Sequence, residues 1–183
     1  TYASTGHNLR LTEFQAALLL EQMARLDAQV RARSSNGAYL ESLLAQIHGI
    51  RPARQYPGCT LNAYHLFMFR YDAAGFSGLP RDMFLKALRA EGIPASGGYS
   101  PLNTQPFLKN TLNSRGYQRV FPEKTLKEWP ERTACPANAR LCSEAVWFTQ
   151  NMLLGPRSDM DSIAAAISRI RRHADSLARL ASA

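Results

Sequence analysis

The stretch Gly6-His7-Asn8-Leu9-Arg10-Leu11-Thr12-Glu13-Phe14-Gln15-Ala16-Ala17 joins a polar, glycine-containing loop to a strongly apolar run, and the fold is read outward from that junction. Gly, His, Asn and Arg supply amide and guanidinium donors that suit an anion such as a phosphate. Thr12 starts a helix: its hydroxyl accepts from the Gln15 amide while the Gln15 side chain reaches back, the capping box that fixes a helix start. An asparagine before a capped helix is ordinary turn chemistry. Here His7, Asn8 and Arg10 stand together beside a helix start whose composition calls for burial, and buried polar groups need partners.

No proline interrupts residues 12–48, and apolar residues recur at helical spacing through Leu19, Met23, Leu26 and Val30, then Leu40, Leu44 and Ile47. The pattern predicts a long helix, or two joined near residues 34–37, stopped by Gly49. Phe14, Ala17, Leu18 and Leu20 make its first turns apolar nearly all round, so several sides must be covered, by another domain or another subunit. The chain starts without methionine beside this patterned loop, and the expectation is that it was cut from something longer.

Downstream, Tyr64-His65-Leu66-Phe67-Met68-Phe69-Arg70-Tyr71 is aromatic on both alternating faces and reads as a central strand, with His65 as a core histidine rather than a catalyst. Residues 81–91 follow a helical pattern with Phe84, Leu85 and Leu88 inward and Gly92 in the cap position. Ile93-Pro94-Ala95-Ser96 leaves as a short extended piece. Residues 97–136 read as loop, because prolines, asparagines and a glycine break every candidate element. Residues 137–145 form a short helix and Val146-Trp147-Phe148 a strand. Ser158 with Asp161 caps a final helix whose buried stripe is Met160, Ile163, Ile167, Ile170, Ala174 and Leu177. The expected class is α+β, with mixed helix and strand order: a long N-terminal helix, then a small, mainly antiparallel sheet with flanking helices. Residues 1–48 form the interface loop and helix, and residues 49–183 a small α/β domain.

At 183 residues, with 45% apolar and 20% charged residues, the chain can build a core. Its net charge of +8 favours anionic partners without choosing among nucleic acid, acidic membrane surfaces and phosphorylated small molecules. Arg169, Arg171, Arg172, His173 and Arg179 spread round the solvent side of a helix. Cys59, Cys135 and Cys142 lack metal-site spacing and read as reduced thiols, so no metal is expected. No signal pattern opens the chain and no apolar run approaches the ~20 residues that span a bilayer, so a cytoplasmic protein is expected. There is no nucleophile elbow and no P-loop. Gly97-Gly98 precedes Tyr99-Ser100-Pro101 instead of a helix. Tyr99 on that turn either points its hydroxyl at a ligand or anchors the structure as an aromatic.

The opening segment resembles the G-x-N-x-R-(hydrophobic)-(T/S)-E-(aromatic)-Q-A-A segment of the DegT/DnrJ/StrS sugar aminotransferases. The likeness continues through Ala63-Tyr64-His65-Leu66-Phe67 with Arg70, Ala90-Glu91-Gly92-Ile93-Pro94, Gly98-Tyr99-Ser100-Pro101-Leu102, and Cys135-Pro136 to Trp147. The later segments are most similar to the branch that aminates inosose-type cyclitols and aminoshikimate-type rings. The resemblance implies the C-terminal part of a fold type I transferase. That enzyme is a homodimer using pyridoxal phosphate, held on a lysine, to move an amino group from glutamate or glutamine to a ketone on a sugar or cyclitol.

In the family the lysine and most phosphate ligands lie upstream of the G-x-N-x-R segment. Lys86, Lys109, Lys124 and Lys127 match no part of the lysine motif, so this chain carries no catalytic residue and is inactive alone. Asn8 matches the asparagine that reaches the cofactor phosphate of the neighbouring subunit. Arg10 matches an interface arginine of structural or substrate-related role, and Tyr99 lies on the segment bordering the substrate. His7 stands where tyrosine is common, Gly98 where many nucleotide-sugar members have histidine, and Thr149 where proline is frequent. These departures leave the substrate's identity open. Against this stand two other readings. A basic nucleic-acid-binding protein rests on charge alone, and a helical dimerisation module would need no cofactor.

Overall fold

A computed structural model describes residues 11–181. It is built from one long helix, a three-stranded sheet and a set of shorter helices. Helix α1 runs Glu13–Leu44 without a break, started by the Thr12–Gln15 capping box in both directions. Of the two readings, the single long helix holds: Gly37 serves packing within it, and the helix stops at Leu44, short of Gly49. Gly49 instead sits at φ +91° in the turn into the sheet.

The strands are β1 (Ile50–Pro52), β2 (Leu66–Tyr71) and β3 (Ala145–Thr149), ordered β1-β2-β3 and antiparallel throughout. Ile50 faces Tyr71, and Leu66 faces Thr149. β2 is central, as its aromatic content predicts. Its burial alternates: Phe67, Phe69 and Tyr71 enter the core, joined from β3 by Val146 and Phe148. Phe69 and Phe148 stack at an angle with centroids 5.5 Å apart, and Tyr71 lies 4.4 Å from Phe84. His65 is exposed, just before the strand, so the core-histidine reading is wrong. The buried ring of that segment is Tyr64, the residue before it.

Helix α2 (Arg81–Ala90) buries Phe84, Leu85 and Leu88 as the sequence pattern requires. It ends in a Schellman motif: Gly92 at φ +81° donates to the Arg89 carbonyl and Ile93 to the Leu88 carbonyl. Residues 93–96 make only a single bridge, Ser96 to Trp147.

Residues 97–136 are not loop. They hold a 3-10 turn (Leu102–Thr104) and the short helices α3 (Pro106–Leu112), α4 (Arg115–Val120), α5 (Glu123–Lys127) and α6 (Trp129–Arg132), leading into α7 (Pro136–Glu144). The prolines that read as interruptions are starts. Pro106 and Pro136 are first residues of their helices, where the missing N–H has no partner to lose and the fixed φ suits the first turn.

The final helical stretch is two helices, α8 (Arg157–Arg172) and α9 (Ala174–Ala181). Met160, Ile163, Ile167 and Ile170 are buried, as is Ala174. Ser158 does not cap α8, since Pro156 holds that position and no side chain bonds there. Asp161 is engaged elsewhere, accepting from the Tyr39 hydroxyl at 2.7 Å and so tying α8 to α1. The C-terminal half of α1 contributes Leu40 and Leu44 to the core. Its N-terminal half stands clear, with Phe14 87% and Leu18 67% exposed. The expected burial of that half is therefore unmet within the described residues.

Candidate functional site

The sheet face opposite the core carries Trp147, and the residues 97–99 turn crosses it. Gly98 adopts φ +85°, and a Cβ there would lie 3.2 Å from the Ala145 Cβ. Both the left-handed conformation and the close approach favour glycine. Tyr99 then packs edge-on to Trp147, centroids 4.9 Å apart at 65°, while 74% of it remains exposed. The ring anchors the turn, as one of the two sequence readings of Tyr99 has it, and the rest of the side chain borders open space.

That space is a groove of about 750 Å³. One wall is the segment after the turn, with Tyr99, Ser100, Leu102, Asn103, Gln105 and Phe107. The other is formed by Cys135, which precedes α7, and by Asn138 and Cys142, whose four-residue spacing stacks them on one face of that helix. No lining residue is acidic, basic or histidine.

The amides in the groove are tied down at one end. Asn103 Nδ2 donates to the Thr133 carbonyl at 2.9 Å, and Gln105 Nε2 donates to the Pro101 carbonyl at 3.0 Å. The Cys142 thiol donates to Asn138 Oδ1 at 3.9 Å. Helix α7 itself is clamped at its C-terminal end. Arg81 Nη1 donates to the carbonyls of Cys142 at 2.6 Å and Ala145 at 3.2 Å. Glu144 accepts from Arg70 Nε at 2.6 Å and pairs with Arg140 at 3.1 Å. The groove wall is therefore held to the sheet by charge-assisted bonds.

His7, Asn8 and Arg10 lie outside the described residues, so Tyr99 alone of the sequence-predicted site residues is placed. The described lysines do not suit a Schiff base with pyridoxal phosphate. All four are exposed; Lys127 pairs with Glu123 on its own helix and Lys124 with Glu128 just beyond it. The described residues by themselves do not form a site for that cofactor. The three cysteines are unpaired thiols, and no group of three potential metal ligands forms among the described residues. No described helix is long and apolar enough to cross a membrane.

Sequence reasoning missed Asn103, Gln105, Phe107, Asn138 and Cys142 as groove residues. The signal available was Pro106 read as a helix start, together with the four-residue spacing that puts Asn138 and Cys142 on one face of the helix predicted over residues 137–145.

Residues 1–146 match the model of the DegT/DnrJ/EryC1/StrS aminotransferase family. The chain is 38% identical over 172 residues to L-glutamine:2-deoxy-scyllo-inosose aminotransferase of Streptoalloteichus tenebrarius, covering 92% of this chain and 39% of that protein. It is 31% identical over 166 residues to L-glutamine:scyllo-inosose aminotransferase of Streptomyces griseus, covering 90% of this chain and 38% of that protein. Among solved structures, 3-amino-5-hydroxybenzoic acid synthase superposes with a TM-score of 0.71 at 24% identity, over 93% of this chain and 41% of that one, and shows the fold. The chain spans about two-fifths of the length of the curated relatives it matches.

Proposed function

The chain belongs to the DegT/DnrJ/EryC1/StrS aminotransferase family, and we propose that it is the C-terminal portion of a pyridoxal-phosphate-dependent enzyme that aminates a ketone on a cyclitol or sugar ring. The observation that carries this reading is the match over nearly the whole chain to relatives named for glutamine and inosose substrates. The cofactor, when bound, accepts the amino group from glutamine or glutamate and passes it to the ketone.

In this reading the lysine that holds the cofactor comes from outside these 183 residues. Asn8 contributes its side-chain amide to the cofactor phosphate bound by the neighbouring subunit of a homodimer. Arg10, in a structural or substrate-related role, and His7 are candidate substrate residues of the same segment, and Tyr99 borders the acceptor ring. Residues 1–48 are the interface element and residues 49–183 the small domain of a cytoplasmic enzyme.

The exposed half of α1 supports the two-body assembly. Phe14 and Leu18 lie on one side of the helix and Leu19, Met23 and Leu26 on another, all exposed. One flat partner covers one face only, so two covering surfaces are implied, the remainder of the same polypeptide and the second subunit. The nucleic-acid reading has less to stand on. Arg51, Arg70, Arg140, Arg169 and Arg179 are all engaged by carboxylates.

The direct test uses the full-length gene product. Addition of pyridoxal phosphate should produce a visible absorbance band that glutamine bleaches and borohydride abolishes. A full-length protein that leaves the cofactor's free spectrum unchanged would overturn the reading.

A further inference from the structure

We infer that a second cavity, between α1, β2 and the segment joining β1 to β2, is a binding site for a small zwitterionic α-amino acid. It shares no lining residue with the groove beside α7 and does not depend on the proposed transamination.

The cavity holds about 160 Å³. That is the liquid volume of about five waters, and it falls below the about 300–1,000 Å³ of pockets for drug-sized ligands. Opposite charges line it, Glu41 from α1 and Arg54 from the stretch after β1. Among the described residues neither forms an ion pair, with the other or elsewhere. Glu41 is half-buried, and Arg54 lies over the Tyr56 ring at 5.6 Å. Opposite charges that share a small cavity without meeting suit a ligand that carries both, since a ligand with one charge satisfies only one of them.

The neutral groups divide the same way. Gln55 Nε2 donates to the Cys59 carbonyl at 3.2 Å, which leaves Oε1 as an acceptor. Asn62 Oδ1 accepts from the Tyr64 N–H at 2.9 Å, which leaves the Nδ2 hydrogens as donors. Glu41 and Gln55 thus accept from an ammonium, and Arg54 and Asn62 donate to a carboxylate. Burial, and then the charge of Glu41, raises the Tyr64 phenol above its ordinary value, so it keeps a hydrogen to donate. Leu66 and Met68, two apart on β2, give an apolar wall for a small side chain. An occupant ties the segment before β2 to α1 along the seam where Tyr64 packs on Gly37.

Amide exchange reads that tie. In the full-length protein, hydrogen–deuterium exchange of residues 53–64 is followed by mass spectrometry with and without a mixture of glycine, L-alanine, L-serine and L-valine. Glutamine and glutamate are left out, which keeps the proposed amino donors from contributing. The bonded amides of Ala53, Cys59 and Tyr64 report the opening of the segment. At about twice its half-saturating concentration the mixture should slow their exchange about threefold. Propionate and ethylamine, with one charge each, should leave it unchanged. E41Q and R54Q should remove the slowing while keeping the thermal midpoint and the unliganded exchange near wild type. Exchange that the mixture leaves unchanged up to its solubility would overturn the inference. So would slowing by propionate or ethylamine as strong as that by the mixture, or slowing that survives in E41Q.

Discussion

The ring of Tyr64 lies against Gly37 in the C-terminal part of α1, where a Cβ on Gly37 would stand 2.6 Å from two ring carbons. Tyr64 is held there with φ +45°, its N–H donating to Asn62 Oδ1 at 2.9 Å. A glycine inside a helix is unfavourable by about 1 kcal/mol relative to alanine. At this site its small size is what lets the loop before β2 close onto the helix.

Gly37→Ala is therefore expected to destabilise the protein despite the gain in helix propensity. Overpacking of this kind costs about 1–3 kcal/mol, and urea denaturation should show a lower midpoint. A higher midpoint would mean that Tyr64 moves aside freely.

The same glycine shows where the sequence was and was not legible. The capping box at Thr12 and Gln15, the central strand 66–71 and the Gly92 cap were readable because each is decided by neighbours in the chain. The sequence left open whether the helix breaks near Gly37, because the partner that explains this glycine, Tyr64, is 27 positions away. His65 was misassigned to the core because alternation was extended back past the strand start at Leu66, onto the residue that follows the left-handed Tyr64. The groove went unseen for a related reason. Prolines were weighed as breakers, when a proline at a first helical position starts a helix. The apolar character of the start of α1 was legible, and its side chains are exposed among the described residues.

Tyr71 offers a pH test of the core. Burial, with a smaller contribution from the negative charge of Asp72, pushes its phenol well above the ordinary tyrosine value. Its hydroxyl donates to the Leu79 carbonyl at 2.7 Å. The neutral form is favoured in the folded state, so this contribution is fully present below the unfolded value of about 10 and is lost as pH rises beyond it. Tyr71→Phe should cost about 1 kcal/mol or more at neutral pH through the unpaired Leu79 carbonyl, and should flatten the alkaline fall in stability. Denaturation midpoints at neutral and strongly alkaline pH check both parts. An alkaline fall as steep in the variant as in the wild type would assign it to other groups.

The exposed half of α1 predicts self-association of residues 1–183 on their own. Phe14→Ser with Leu18→Glu should lower the average mass in sedimentation without lowering the thermal midpoint, since neither side chain belongs to the core. A wild-type chain that sediments as a monomer at all concentrations would count against the need for covering surfaces.

Asn8→Ala in the full-length protein should weaken retention of pyridoxal phosphate by about 1–3 kcal/mol, the loss expected when a phosphate hydrogen bond is removed from a closed site. Dialysis against a cofactor trap measures it. Retention equal to wild type would remove Asn8 from the cofactor site.

The central claim is that this chain is part of an enzyme that aminates a ring ketone. Full-length protein loaded with pyridoxal phosphate, given glutamine labelled with nitrogen-15 at the α-amino group and 2-deoxy-scyllo-inosose, should yield an aminocyclitol carrying the label, read by mass spectrometry. Cofactor-loaded protein that consumes neither substrate, or that yields no labelled amine from any keto-cyclitol or keto-sugar, would contradict the account.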